Sequence, residues 1–318
     1  FHEAISWMIQ GVLWISRQSY GMLTIGHVPF LWVLLFYFMT GLWIWKKNGQ
    51  NRHIRISLAY VIMIILIWIP MARRKSLAFL DVGQGDCFVA DTKSGAIIFD
   101  GGSSSEDQVG RYRILPYMKY LGYQKIQIAV ISHMDIDHYS GIKELLEMGK
   151  IKYLGLPEIP KDETMKKIIG IAKKRGTTIF YLSRGRQITT KDGSLKVLHP
   201  QKNSQMEKNA ASLVMQGKIL GYRVLLTGDV EKEGEEELLS EELERADILK
   251  AAHHGSKNST SNEFLQKVQP KQTVISCGKQ NRYGHPHLET IHRLQTYRTK
   301  IYRTDRSGAI IFFKRRDG

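Results

Sequence analysis

The chain has 318 residues, a formal net charge of +16 and a pI near 9.7, which is room for one large or two ordinary domains with a sizeable core. Two cysteines, Cys87 and Cys277, are too few for a disulfide framework or a cysteine-based metal centre, although a single bridge between them stays open. The excess of base points to an anionic partner, whether nucleic acid, phospholipid or cell-wall polymer. A chain that starts at Phe1 and not at Met reads as a fragment or a processed product.

The first seventy-five residues differ in kind from the rest. Ala4 to Leu23 mixes Ile5, Trp7, Met8, Val12, Leu13 and Ile15 with few charges, the pattern of an interfacial amphipathic helix or of the end of a membrane segment. The runs 28–45 and 56–72 contain no charged residue, and both approach the length needed to cross hydrocarbon. Trp32, Trp43, Trp45 and Trp68 lie towards their ends, as interfacial aromatics do. Two transmembrane helices are expected there, making residues 1–75 a membrane segment in front of a second domain at 76–318. The loop between the two runs carries Lys46, Lys47, Arg52 and Arg55, against Arg73, Arg74 and Lys75 after the second. The positive-inside tendency therefore predicts a multi-pass protein of the cell membrane, with the second domain on the extracellular face. Residues 76–318 keep 38 basic against 29 acidic residues, so this part is basic in its own right.

From Ser76 the pattern changes to short apolar strands between Gly and Asp turns. Strands at 76–82, 87–91 and 95–100 read as a β-meander, with Asp86 and Asp100 among the glycines at strand ends, where site loops usually sit. A helix is expected around 112–121, a strand at 127–131 and a helix from Ile142. Then come a strand at 152–156, a helix at 163–174, and strands at 177–182 and 194–198. Residues 212–215 pair as a hairpin with 222–226, and 231–245 reads as an acidic, solvated helix. A strand at 247–252, a helix at 263–268, a strand at 273–276, a helix ending at Tyr297 and two final strands complete the order. Such an order implies α/β architecture, two packed sheets with helices outside.

Between the strand at 127–131 and the next helix stands Ser132-His133-Met134-Asp135-Ile136-Asp137-His138-Tyr139-Ser140-Gly141. Two imidazoles and two carboxylates within six residues are the nitrogen and oxygen donors that divalent cations take. Other strands end in Asp229 and in His253-His254, as a site assembled from loops along one sheet edge would require. Asp229 has two oxygens with which to bridge two ions, and such a pair clamps a phosphate and activates a shared water. Ser256, His285 or a backbone amide of the glycine turns is available for the anion, and His285 alternatively for protonating a leaving group.

These motifs resemble the metallo-β-lactamase superfamily, whose fold is an αββα sandwich with a metal site at one sheet edge. Phe99-Asp100-Gly101-Gly102 matches its first strand-end Asp. His133 to His138 matches its His-x-His-x-Asp-His signature, with Asp135 where most members have His. Asp229 matches the bridging Asp, and His253-His254 the last ligand position. More narrowly, Leu80 to Asp86, Ser132 to Gly141, Leu226 to Asp229, His253 to Ser256 and Asn281 to Pro286 resemble the ComEC family of bacterial DNA-uptake membrane proteins. The resemblance covers the whole chain and implies the C-terminal part of a longer channel protein. It implies His133 and Asp135 on one ion, Asp137, His138 and His254 on the other, and Asp229 between them. The usual intermediate His has His199 as its one nearby candidate. Asp135 makes the donor set harder, which favours manganese over zinc, with magnesium also open. His253, Ser256, His285, Asp86 and Asp100 are left for catalysis or substrate binding.

The implied function is degradation of the non-transported strand in natural transformation. The implied partners are DNA, the lipid membrane, the rest of an uptake channel and a DNA receptor. A hydrolase of another phosphoester, such as one of the cell wall, and a non-catalytic DNA-binding channel component are the alternatives.

Overall fold

The structure, a computed structural model, describes residues 2–17, 24, 26–45, 54, 57–62, 74–206, 208–241 and 243–315. The chain divides into two units, Phe1–Arg73 with Lys119–Gln124, and Arg74–Met118 with Lys125–Gly318.

In the first unit, α1 (His2–Arg17) places Glu3 in its first turn, where negative charge suits the positive end of the helix. It exposes Trp7, Met8, Ile9 and Val12. Helix α2 (Phe30–Trp45) carries no charge and exposes Phe30, Leu31, Tyr37 and Phe38. It starts two residues later than the apolar run because Pro29 disfavours helical backbone at Val28. Its 16 residues rise about 24 Å, against a hydrocarbon core of about 30 Å. No described helix is long and apolar enough to cross a membrane. Of the second run, residues 57–62 are helical, whereas 56 and 63–72 lie outside the described residues, as does most of the loop before it.

The second unit is built on two seven-stranded sheets. The first uses β1 (Ser76–Phe79), β2 (Phe88–Thr92), β3 (Gly95–Phe99), β4 (Ile126–Val130), β5 (Ile151–Pro157), β6 (Thr178–Leu182) and β14 (Ile310–Phe313), in the order β14-β1-β2-β3-β4-β5-β6. The second uses β7 (Gln187–Thr190), β8 (Gly193–His199), β9 (Val214–Ile219), β10 (Tyr222–Leu226), β11 (Ile248–Lys250), β12 (Gln272–Ile275) and β13 (Lys300–Arg303), in the order β13-β12-β11-β10-β9-β8-β7. Strands β3 to β6 run parallel, as do β10 to β13. The period-2 alternation of Leu77/Phe79, Phe88/Ala90 and Ile97/Phe99 turns one face of the first sheet inward. It meets Leu195, Val197, Met215, Val224 and Leu226 of the second sheet in one core.

Helices cover the sheets. Ile142, Leu145 and Leu146 of α4 (Ile136–Glu147) and Met165, Ile168 and Ala172 of α5 (Glu163–Lys174) are buried. A second cluster joins Leu225, Leu249 and Ile275 with Leu238 of α6 (Lys232–Leu239), Phe264 and Leu265 of α7 (Asn262–Val268) and Leu294 of α8 (Leu288–Thr296). Before them, a π turn, Gly110–Ile114, leads into the short α3 (Leu115–Tyr120).

The two-sheet α/β expectation holds, with three corrections. Strand β7 was not anticipated: Gln187-Ile188-Thr189-Thr190 is short and polar, and only pairing with β8 makes it a strand. The helix expected from Ile142 starts at Ile136, so the histidine–aspartate motif is half turn and half helix. The acidic helix expected over 231–245 is only Lys232–Leu239, and it is not merely solvated. Its Glu235 is buried because its carboxylate accepts from Thr260 N–H, and from Ser261 N–H at 3.0 Å, at the start of α7.

Candidate metal centre

The strand ends bring the site residues together where the parallel strands of both sheets run out. After β3, Asp100 adopts a left-handed backbone (φ 57°). Its Oδ1 accepts from Ser132 N–H at 2.7 Å and its Oδ2 lies 3.0 Å from His138 Nδ1. After β4 come Ser132 and His133. Asp135 caps α4 through its backbone while its carboxylate makes no cap bond; instead Oδ2 sits 3.7 Å from His133 Nε2. Asp137 and His138 lie in the first turn of the helix. Gly102 lets that turn approach closely, since a Cβ there would stand 2.5 Å from Ile136 O and 2.6 Å from His138 N.

From the second sheet, β10 delivers Asp229 and β11 ends in Lys250, three residues before His253. His253 (φ 46°) and His254 (φ 53°) both take left-handed backbone, ahead of Gly255 at φ 84°. Non-glycine residues rarely do this, and strain of this kind concentrates at functional positions.

One arrangement recurs among the buried imidazoles. His138 is held at Nδ1 by Asp100, His254 at Nδ1 by Ser276 O at 2.9 Å, and His133 at Nδ1 by the hydroxyls of Ser132 at 3.0 Å and Ser212 at 3.2 Å. Each leaves Nε2 facing inward, and none of the three Nε2 atoms makes a well-directed hydrogen bond. Asp229 Oδ2 stands 3.1 Å from that of His138 and 3.3 Å from that of His254; Asp137 Oδ2 is also 3.3 Å from the latter. Asp86, His138, Asp229 and His254 each present a ligand atom within 4.8 Å of the others. Buried nitrogens whose far ring atom is pinned and whose near atom has no proper partner are the donors a divalent cation takes. The residues therefore fit a metal, with oxygen and imidazole donors and no thiolate.

The charges are tightly coupled. Burial works against the charge on Asp86, but the Lys250 ammonium, His254 and His138 outweigh it and hold the carboxyl at about 2. Burial likewise opposes ionisation of Asp229, and His138, His254 and Lys250 hold it well below the usual range. Burial pushes His138 down, whereas Asp229 and Asp100 raise it well above its ordinary value. Lys250, itself buried, contacts Asp86, donates to Gly228 O at 3.0 Å and lies 3.5 Å from Asp229 Oδ1. Those carboxylates raise its pKa despite burial.

The remaining candidates sit around this centre. His253, partly exposed, has Nδ1 2.8 Å from Glu231 and Nε2 3.8 Å from Asp229. The His285 ring lies 5.4 Å from that of His253 and 6.1 Å from that of His254. Burial, then His254 and His253, bring His285 down to about 4. Ser256 is buried in closing the turn: its hydroxyl accepts from Asn258 N–H at 3.3 Å and its carbonyl from Thr290 Oγ1 at 2.8 Å. His199 stands apart, with Nε2 2.7 Å from Ala210 O and Nδ1 3.1 Å from Glu237. Sequence reasoning missed Lys250 altogether. Its signal was a charge inside the apolar run Ile248 to Ala252, directly ahead of the histidine pair.

With this geometry in hand, comparison with known proteins gives the class. A family model described as the metallo-β-lactamase superfamily matches residues 80–279, and the chain belongs to that superfamily. The metallo-β-lactamase fold protein YhfI from Bacillus subtilis has TM-score 0.51 at 13% identity, over 74% of this chain and 99% of that one, a likeness of fold alone. Among curated relatives, ComE operon protein 3 of Bacillus subtilis is 33% identical over 100% of this chain and 44% of its own length. Competence protein ComA of Neisseria gonorrhoeae is 30% identical over 75% of this chain and 32% of its own length. The ComEC-family resemblance read from the motifs is borne out over the full chain; the chain spans less than half the length of these relatives.

Proposed function

We propose that this chain is the metal-dependent nuclease part of a membrane-anchored DNA-uptake protein, degrading the strand that is not transported. The observation that carries the reading is the convergence of the His138 and His254 Nε2 atoms, neither with a well-directed hydrogen bond, on the Asp229 carboxylate, with Asp86 in the same cluster and the His133 ring 4.1 Å from that of His138. The competence names of relatives along the chain support DNA as the substrate, as does the basic balance of residues 76–318. The exposed apolar faces of α1 and α2 support the membrane anchor, with the nuclease unit on the extracellular side and a channel and a DNA receptor as partners.

His133 and Asp135 would hold one divalent cation, Asp137, His138 and His254 a second, with Asp229 shared. The oxygen-rich set favours manganese, ahead of zinc or magnesium. Cations bound there supply polarisation of a phosphoryl oxygen and a water of lowered pKa. The protein's own groups do the rest. Asp100 and the Ser276 carbonyl fix the imidazoles of His138 and His254 so that Nε2 faces the centre. Lys250 offsets the charge of Asp86 and Asp229. His253, with Nδ1 2.8 Å from Glu231 and Nε2 3.8 Å from Asp229, stands at the rim, placed to reach the leaving oxygen.

The test is cleavage of single- and double-stranded DNA by the full chain with manganese, zinc and magnesium, alongside metal analysis. Metal-dependent cleavage lost in Asp137→Ala supports the reading; equal cleavage by the variant and the parent sinks it.

A further inference from the structure

The loop after β12 builds a lip beside the centre that the chemistry above does not use. Arg282, Tyr283 and Gly284 are exposed, Tyr283 by 43%. The Tyr283 ring lies nearly parallel to His285, with centroids 5.7 Å apart at 21°, and His285 in turn stands 6.1 Å from His254. The Arg282 guanidinium carbon sits 4.9 Å from the Tyr283 ring centre, and its Nη2 donates to the Tyr283 hydroxyl at 2.7 Å.

The lip is held in place from behind. The Asn281 side chain accepts from His285 N–H at 2.9 Å and donates to the carbonyls of Gly278 at 2.9 Å and His285 at 2.6 Å. Gly278 N–H donates to Gln84 Oε1 at 3.1 Å, in the turn that carries Asp86. An exposed aromatic ring with a guanidinium over it, fixed on a short loop and one imidazole away from the metal ligands, offers π surface and positive charge together. Water-exposed Tyr–Arg pairs of this kind are what unpaired nucleotides use, the base stacking and the phosphate meeting the guanidinium. A base inside a duplex has no free face to stack.

We propose that Arg282 and Tyr283 form a subsite for one unpaired nucleotide next to the scissile phosphate. Its base stacks on the Tyr283–Arg282 pair and its phosphate pairs with Arg282, so the centre prefers a single strand or a frayed end. The proposal rests on the nuclease reading and adds the form of DNA it takes.

The experiment measures binding by the full chain, with manganese, of a fluorescein-labelled oligothymidine and of an abasic strand of the same length and charge, both with phosphorothioate linkages that resist cleavage. The expected result is about tenfold tighter binding of the strand that carries bases. That ratio should fall towards one in Tyr283→Leu and persist in Tyr283→Trp. Arg282→Gln should weaken both strands and lower the salt slope by about 0.7. A ratio unchanged in Tyr283→Leu, with DNA still bound and cleaved, overturns the lip and leaves the nuclease reading standing. Failure to bind either strand overturns both. Tyr283 is exposed at a loop tip, so the variants should fold, and a melting curve for each confirms it.

Discussion

Lys250 is a fixed positive charge only 4% exposed, against two carboxylates as buried as itself. Removing the ammonium leaves two buried carboxylates with only the imidazoles of His138 and His254 to offset them, and breaking a buried charge pair in this way costs about 3–5 kcal/mol. Lys250→Met should therefore unfold at markedly lower urea concentration in EDTA. Saturating manganese should narrow the gap to the parent protein, because a bound cation takes over the compensation of Asp86 and Asp229. A variant as stable as the parent in EDTA would mean that the ammonium is not needed there. Gly102 makes the same site sensitive in a different way. A methyl group on it would meet backbone, not a side chain that can turn away. Gly102→Ala should push the first turn of α4 outward, costing about 1–3 kcal/mol and weakening manganese binding, which isothermal titration would register.

At the scale of elements, Glu235 shows how α6 serves the site from outside. Its carboxylate satisfies two amides at the start of α7, which follows the turn carrying His253 and His254. Burial raises its pKa above the ordinary 4.5, while the amides of Ser261 and Thr260 pull the other way. With a raised folded pKa, the folded protein holds this proton more firmly than the unfolded chain. The contribution is full below 4.5 and is lost as pH rises through the folded value. The stability of Glu235→Gln relative to the parent should therefore improve as pH rises from about 4 to 7, other groups cancelling in the difference. A difference that is flat or falls with pH would contradict the assignment.

The same helix marks the limit of sequence reading. The carboxylates of 231–245 look solvated because nothing local distinguishes Glu235 from its neighbours, and its partners lie twenty-five residues on. The start of α4 was hidden for another reason. Apolar periodicity becomes regular only at Ile142, and Asp135 reads as a ligand before it reads as a cap. Strands and the histidine–aspartate motif were legible because period-2 burial and adjacent donors are both local properties of the chain. That Asp86 meets Lys250, and that the Tyr283–His285 stack lies beside His254, depends on which strand ends the two sheets bring together, and no local pattern encodes such a meeting.

At the scale of the whole second unit, the centre is a clamp across two sheets. His133, Asp137 and His138 follow β4 of the first sheet, whereas Asp229 and His254 follow β10 and β11 of the second. A cation taken by this set binds the packed sandwich and not either sheet alone, so its binding free energy adds to global stability. At a free manganese concentration a hundredfold above Kd, the unfolding free energy should rise by about 2.7 kcal/mol for each ion bound. The slope of that energy against urea should stay unchanged, since the same surface is exposed on unfolding. Asp229→Asn, which takes charge from the ligand both ions would share, should abolish the rise, and His138→Gln should remove the share of one ion. A rise that survives in both variants would place the ion elsewhere. A rise confined to local probes on one sheet, with the global transition unmoved, would mean that the two halves of the clamp do not hold a common ion.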